Sequence, residues 1–507
     1  MKNIVRYSLI LLSSFLLITA CNKDVEEIKF EPELALPLFS STSTLADLFG
    51  ENTDTSSLVI GSDGSMTLVY KGDLVRREAN EIFKAIPTFP GIMFDSVLSA
   101  PFTLENEINI IRAHFTAGTI NVQVNSNIPE DLDFVLEFPD VTQGGQTLKV
   151  VGEIDYTGTL PVIVNFPAIS TAGYDINLSG LEVNVRYFAT KKSNGERVKL
   201  PTVGFLITGI KFSYLEGYFG YEVHQIQRDT ITMDVFKNVL QGNLEFADPR
   251  VTIIVDNSFG FPLRSKVTVL RVSNETESAD LESPLVTSGF DFGYPGLNQV
   301  GSTATTNFYF DKSNSNIKEV FNLYPIYLDY QIDAISNPDE IPNLIGFTTD
   351  SSYFALKVQV ELPLHGKADG FEGDKTFDVD FSALEDMKKA ELKLIAENGM
   401  PVDIIAQATL IDANGVELGT LLNDFGLILK AAPVGADGYS NGISSQITYI
   451  QADAALLEKM RLARKIRVDS RFSTTNMGQT DVHIRSSDQV NLRMGLRATL
   501  DYSIGGE

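Results

Sequence analysis

The sequence contains no tryptophan, one cysteine and four histidines among 507 residues. A single cysteine cannot close an intramolecular disulfide and cannot build a thiolate metal site. The histidines are His114, His224, His365 and His483, and no two have the spacing of a metal-ligand pair, so no metal or other cofactor is expected. There is no G-x-S-x-G, no Walker loop and no dinucleotide-type G-x-G-x-x-G. The missing tryptophan also removes the usual platform for stacking a sugar. Acidic residues outnumber basic ones 66 to 40, for a net charge of −26. That balance argues against binding nucleic acid or anionic headgroups by charge. The carboxylates are read as solvated faces and the chain as non-catalytic. Two oxygen-rich places, Asp412/Asn414/Glu417 and Asp248/Asp256, are weighed for calcium and read as turn and strand-end residues, since the full calcium-loop pattern is absent.

What is present begins at the N-terminus. Lys2 and Arg6 precede a short apolar core, Tyr7 to Leu17, and small residues Thr19-Ala20. These are the parts of a secretory signal, with a core too short to span a bilayer. The lone cysteine, Cys21, follows at once. Ile18-Thr19-Ala20-Cys21 resembles the lipobox of bacterial lipoproteins, which implies cleavage before Cys21 and its acylation. A thiol consumed by lipid explains why a secreted chain carries one cysteine, and two or more acyl chains give stable attachment. Asn22 is similar to the residue that passes lipoproteins to the outer membrane. Lys23, Asp24, Glu26 and Glu27 resemble the surface-export signal of Bacteroidota-type lipoproteins. The resemblance implies a lipid-anchored outer-membrane protein, exposed at the cell surface. No stretch after residue 20 is long and apolar enough for a transmembrane helix.

The body reads as β-strands. Runs such as TINVQV (119–124), VTIIV (251–255) and ALKVQVEL (355–362) are rich in β-branched residues and several alternate apolar with polar. Gly, Asn, Asp and Pro clusters bound them, including the hairpin dipeptide Asn414-Gly415. The chain also repeats itself. VNSNIPEDLDFVLEF, VDNSFGFPLRSKVTVL and AENGMPVDIIAQATL each run strand, asparagine-containing turn, proline, strand. The expected structural turns are Asn125 with Pro129, Asn257 with Gly260 and Pro262, and Asn398 with Gly399 and Pro401. The asparagines recur at intervals of 132 and 141 residues. Each turn is expected to join two paired strands, with Gly260 in a conformation that other residues resist. A short helix and an alternating strand follow two of the turns, ending at Asn337 and Asn476. His224 and His365 both stand 33 residues before their own turn asparagine, and residues at related places in separate units are not expected to converge on one metal or one triad.

The expected fold class is all-β: an elongated array of three related β-sandwich-like modules of about 140 residues after a partial N-terminal module, with a continuous twisted or tubular sheet as the alternative. The expected divisions are a signal peptide (1–20), a lipidated tether (21–45), a partial module (46–117) and modules at 118–247, 248–388 and 389–507. ADPRVTIIVDNSFGFPLRSKVTVL resembles the opening hairpin of type-2 late-embryogenesis-abundant domains, which are immunoglobulin-like sandwiches. The whole chain also resembles the large uncharacterised lipoproteins of Bacteroidota, a likeness that implies no particular activity. The function expected is presentation of β-modules for binding or scaffolding, held to the membrane by lipid, toward a protein, glycan or lipid ligand. The alternative is a lipid carrier with an apolar β-cavity.

Overall fold

A computed structural model describes residues 28–30, 33–45, 56–82, 89–101, 108–178, 182–233, 243–381, 387–422, 426–500 and 502–504. The fold is all-β, with short helices such as Ile317–Phe321 and Ala454–Leu462. Strict alternation fixes which face each strand buries. Along Arg250–Asn257, for example, Val251, Ile253, Val255 and Asn257 point inward and the residues between them do not.

Three units have the same pairing scheme. In each, an opening strand (Asn109–Ser126, Arg250–Asn257, Met387–Asn398) lies between an edge strand (Val162–Ser170, Ala304–Phe310, Ser444–Ala452) and a closing strand (Thr202–Tyr218, Tyr353–Pro363, Gln489–Leu500). The facing sheet centres on a second strand (Leu132–Gln143, Leu263–Ser273, Val402–Asp412) paired to a return strand (Glu182–Lys191, Tyr327–Ser336, Ala463–Thr474). A strand from just before each unit completes that sheet: Val97–Pro101, Asp229–Thr232 and Phe371–Asp378. The helix-then-strand match seen in the sequence becomes Ile317–Phe321 before the second return strand and Ala454–Leu462 before the third. Asn337 and Asn476, which end those matches, both adopt positive φ, at 42° and 59°.

The turns differ from expectation. The opening and second strands of units 2 and 3 lie in different sheets, so 257–262 and 398–401 cross the sandwich rather than close hairpins. The first unit's opening and second strands are likewise not directly paired. Both flanking strands bury one alternating apolar face, and those faces must oppose each other across a common core, which a hairpin would place side by side. The likeness to the late-embryogenesis-abundant hairpin loses its basis with this geometry. Gly260 is not at positive φ. It is required for closeness instead, because a Cβ there would stand 2.0 Å from Phe347 Cδ1.

The N-terminal segment also departs from expectation. Rather than a tether reaching residue 45 and then a partial module, it gives strands to all three units in reverse order. Glu33–Thr44 pairs with the closing strand of unit 3, Met66–Glu78 with that of unit 2, and Phe89–Met93 with that of unit 1. Ile28–Phe30 pairs with Tyr502–Ile504, so both ends of the described chain meet beside unit 3. The segment travels along the array once and the units return along it.

Neighbouring units interlock by one device used twice. Ile345–Thr349, between the return and closing strands of unit 2, pairs with the end of the unit 1 closing strand. Val482–His483, at the matching place in unit 3, pairs with His365–Asp369, which continues the unit 2 closing strand. The first contact is five residues long and the second two. The cores follow the same inequality. One contiguous cluster runs from Tyr70 to Leu362 through units 1 and 2, so the division expected at 247/248 is no break in the core, while a second cluster fills unit 3.

Candidate functional site at the junction of units 2 and 3

The shorter junction brings together side chains that are far apart in sequence. His365 and His483 are register partners, and their rings stack with centroids 3.6 Å apart and 15° between planes. Tyr439 stacks on the other face of His483 at 4.6 Å, and the Arg485 guanidinium lies 3.8 Å over the Tyr439 ring. The result is a half-buried column in the order His365, His483, Tyr439, Arg485. Gly438 makes room for it: φ is +78°, and a Cβ there would stand 2.8 Å from His483 Cδ2. His483 N donates to Gly438 O at 2.9 Å, which ties the loop to the junction strand.

Burial holds both imidazoles below their ordinary range, and His365 lowers His483 further. Asp481 and Asp248 oppose the shift at His365, and Asp437 and Asp481 oppose it at His483. Lys312, Lys318 and Arg485 reinforce it. Stacked neutral rings gain from contact, whereas two imidazolium ions at this separation repel. Protonation of either ring is therefore disfavoured while the two remain stacked. Face-to-face rings do not aim their in-plane nitrogens at a common ion, and the described residues include no cluster of three potential metal ligands. His365 and His483, which do not stand at related places in their units, meet because the strand that continues unit 2 pairs with unit 3. No spacing signal in the sequence marks that pairing.

Beneath the column lies an apolar cavity of about 70 Å³, with Leu68, Leu244 and Phe246 from one side and Leu45, Phe371 and Phe472 from the other. Cavities of about 60 Å³ and 20 Å³ occur inside units 3 and 1. Small-molecule pockets occupy about 300–1,000 Å³, so these three are packing gaps between core side chains rather than a channel for acyl chains.

The turn residues form a second repeated arrangement. Asn257 Oδ1 accepts from Phe259 N at 3.0 Å while its Nδ2 donates to Gly293 O at 2.9 Å. Asn398 Oδ1 accepts from Met400 N at 2.9 Å, and its Nδ2 donates to Val402 O and Lys430 O. Both side chains are fully buried. In unit 1 the matching bond is made by Ser126, whose Oγ accepts from Ile128 N at 3.2 Å. Asn125 is one place too early, and its Oδ1 is buried without a hydrogen-bond partner. Pro262 O and Pro401 O each accept a backbone N–H, from Asn337 and Thr475. Gly399 N donates to Gln489 O, and Pro129 is exposed in the turn at the free end of unit 1. These residues hold corners of the sandwich.

Other candidates resolve simply. Asp412 Oδ1 accepts from Asn414 N and Val416 N, both at 2.8 Å, in a turn joining paired strands. Asp256 bonds Lys357 and Thr305, and Asp248 pairs with Arg250 and Lys312. His114 bonds Asp175, and burial lowers the pKa of His224. Cys21, Lys23, Asp24, Glu26 and Glu27 lie outside the described residues.

No family model and no curated protein matches the chain. Among solved structures, a protein of Parabacteroides distasonis described as secreted is similar over 58% of this chain and 90% of its own, at 14% identity and a TM-score of 0.30. Infectious bursal disease virus is similar over 96% of this chain and 84% of the viral chain, at 9% identity and a TM-score of 0.14. Similarities this distant carry no argument about the present chain.

Proposed function

We propose that this chain is a non-catalytic, lipid-anchored protein of the bacterial outer membrane that holds three β-units outward for binding or scaffolding. The observation that carries the reading is the reversed strand donation from the N-terminal segment. Because Glu33–Thr44 belongs to unit 3 and Phe89–Met93 to unit 1, a lipid on Cys21 keeps unit 3 beside the membrane and unit 1 farthest from it. In each unit the cross-sandwich turn points toward the preceding unit, so the turn after Ser126 stands at the free end. Filling of the described cores by side chains such as Phe134, Tyr187 and Phe354 favours this role over lipid carriage. Lys23, Asp24, Glu26 and Glu27 act in this reading as the export signal.

The test uses the lipidated protein in liposomes whose headgroups carry a quencher. A fluorophore on Asn414→Cys, in the exposed turn at the outer end of unit 3, is expected to be quenched. The same label on Asn194→Cys, near the free end of unit 1, is expected to stay bright. Equal quenching overturns the orientation, and retention of Cys21→Ser in the membrane fraction overturns the anchor.

A further inference from the structure

The three edge strands are equivalent in topology but not in protection. An unpaired strand edge invites another strand, and natural edges are blunted by charge, proline or bulges. In unit 1, Val162–Ser170 contains Pro167 and a register break between Phe166 and Ile169. In unit 2, Tyr309 O on Ala304–Phe310 accepts from Asn314 Nδ2 at 2.8 Å, and Thr306 Oγ1 accepts from Gly293 N at 2.9 Å, so a loop lies against that strand. Unit 3 differs. Ser444–Ala452 reads SSQITYIQA, with no charge, no proline and unbroken register to Met387–Asn398. Among the described residues that strand is its sole strand partner, and the one loop contact, Ser444 Oγ donating to Ala431 O at 2.7 Å, is confined to its first residue. Ile447 and Tyr449 are 50% and 57% exposed.

The strand's sequence selects its occupant. Turned antiparallel on itself about Thr448, it sets Ile447 opposite Tyr449 of a second copy, and Tyr449 opposite Ile447. Ser445 and Gln451 meet in the same reciprocal way. Pairs of aromatic with β-branched residues are among the favourable cross-strand contacts, and a two-fold interface requires this reciprocity. No like charges meet, because Lys393 and Glu391 stand one strand back, opposite Tyr449 and Gln451. We propose that Ser444–Ala452 docks edge to edge with the same strand of a second copy of this chain, joining two four-stranded sheets into one. The proposal rests on the edge alone and does not need the anchor.

The test uses the full chain carrying Cys21→Ser, which removes its one native cysteine. Directly opposed strand residues have Cα atoms about 4.5–5.5 Å apart, within disulfide range. Thr448→Cys is therefore expected to give a cross-linked dimer under mild oxidation. Gln446→Cys is expected to give none, because its opposite position is Ile450. Ile447→Lys with Tyr449→Lys sets like charges opposite and is expected to abolish the dimer seen by sedimentation, whereas Ile447→Lys with Tyr449→Glu restores it. Both positions are exposed, and circular dichroism confirms folding of each variant. Equal cross-linking at 446 and 448, a dimer that survives the paired lysines, or a monomer that captures only unrelated extended peptides at this edge overturns the proposal.

Discussion

The ring of Phe347 occupies the space that a side chain at Gly260 would need. Their backbones bond reciprocally, with Gly260 N donating to Phe347 O at 2.8 Å and Phe347 N to Gly260 O at 3.4 Å. Phe347 is fully buried and lies in the strand that locks unit 2 to unit 1, so the corner of one sandwich and the seam between two are a single contact. Gly260→Ala is expected to cost about 1–3 kcal/mol, as for other overpacked cores. Adding Phe347→Leu is expected to recover part of that loss, a coupling read by a double-mutant cycle in urea. Strict additivity would mean that the two do not constrain each other.

Acid is expected to loosen unit 3. Both stacked histidines have folded pKa values below the ordinary 6.5. Their contribution is present above about pH 6.5 and is lost as pH falls through the lowered folded values, because the unfolded chain takes up the protons first. Asp488, in the same loop, is shifted upward by burial and works in the opposite direction. The contribution of the pair is therefore read as a difference between proteins. In urea titrations from pH 7.5 to 5, the unit 3 transition is expected to fall less steeply in a His365→Phe, His483→Phe variant than in the native chain. Identical slopes would remove the column from any role in pH response.

Damage in the N-terminal segment is expected to surface far away in the sequence. Leu74 is buried on the strand that Met66–Glu78 gives to unit 2, within the core shared by units 1 and 2. Leu74→Ala is expected to cost about 2–5 kcal/mol, as for other large-to-small core changes. The loss should fall on the transition of the joined units 1 and 2 while the separate core of unit 3 holds. Limited proteolysis with mass spectrometry reads this as earlier cleavage within 108–363 than within 387–500. Simultaneous digestion of both regions would show one cooperative body.

The sequence by itself determined the all-β fold class, and its repeats carried the expectation of three units and of their turns. These depend on local chemistry: alternation with period two exposes one face of each strand, and asparagine and proline end strands wherever they stand. Asn257 and Asn398 were legible because each caps its own turn two residues on. In unit 1 the choice between Asn125 and Ser126 depended on which side chain faces inward. Strand partnership was settled only by tertiary structure. A turn of four to six residues can close a hairpin or cross a sandwich, and only the facing core decides. The same holds for Met66–Glu78, whose partner, Tyr353–Pro363, begins 275 residues after the residue that closes the first strand. His365 and His483 meet for that reason too. Nothing between neighbours in sequence encodes their stack, because it is made by two strands whose pairing joins separate units.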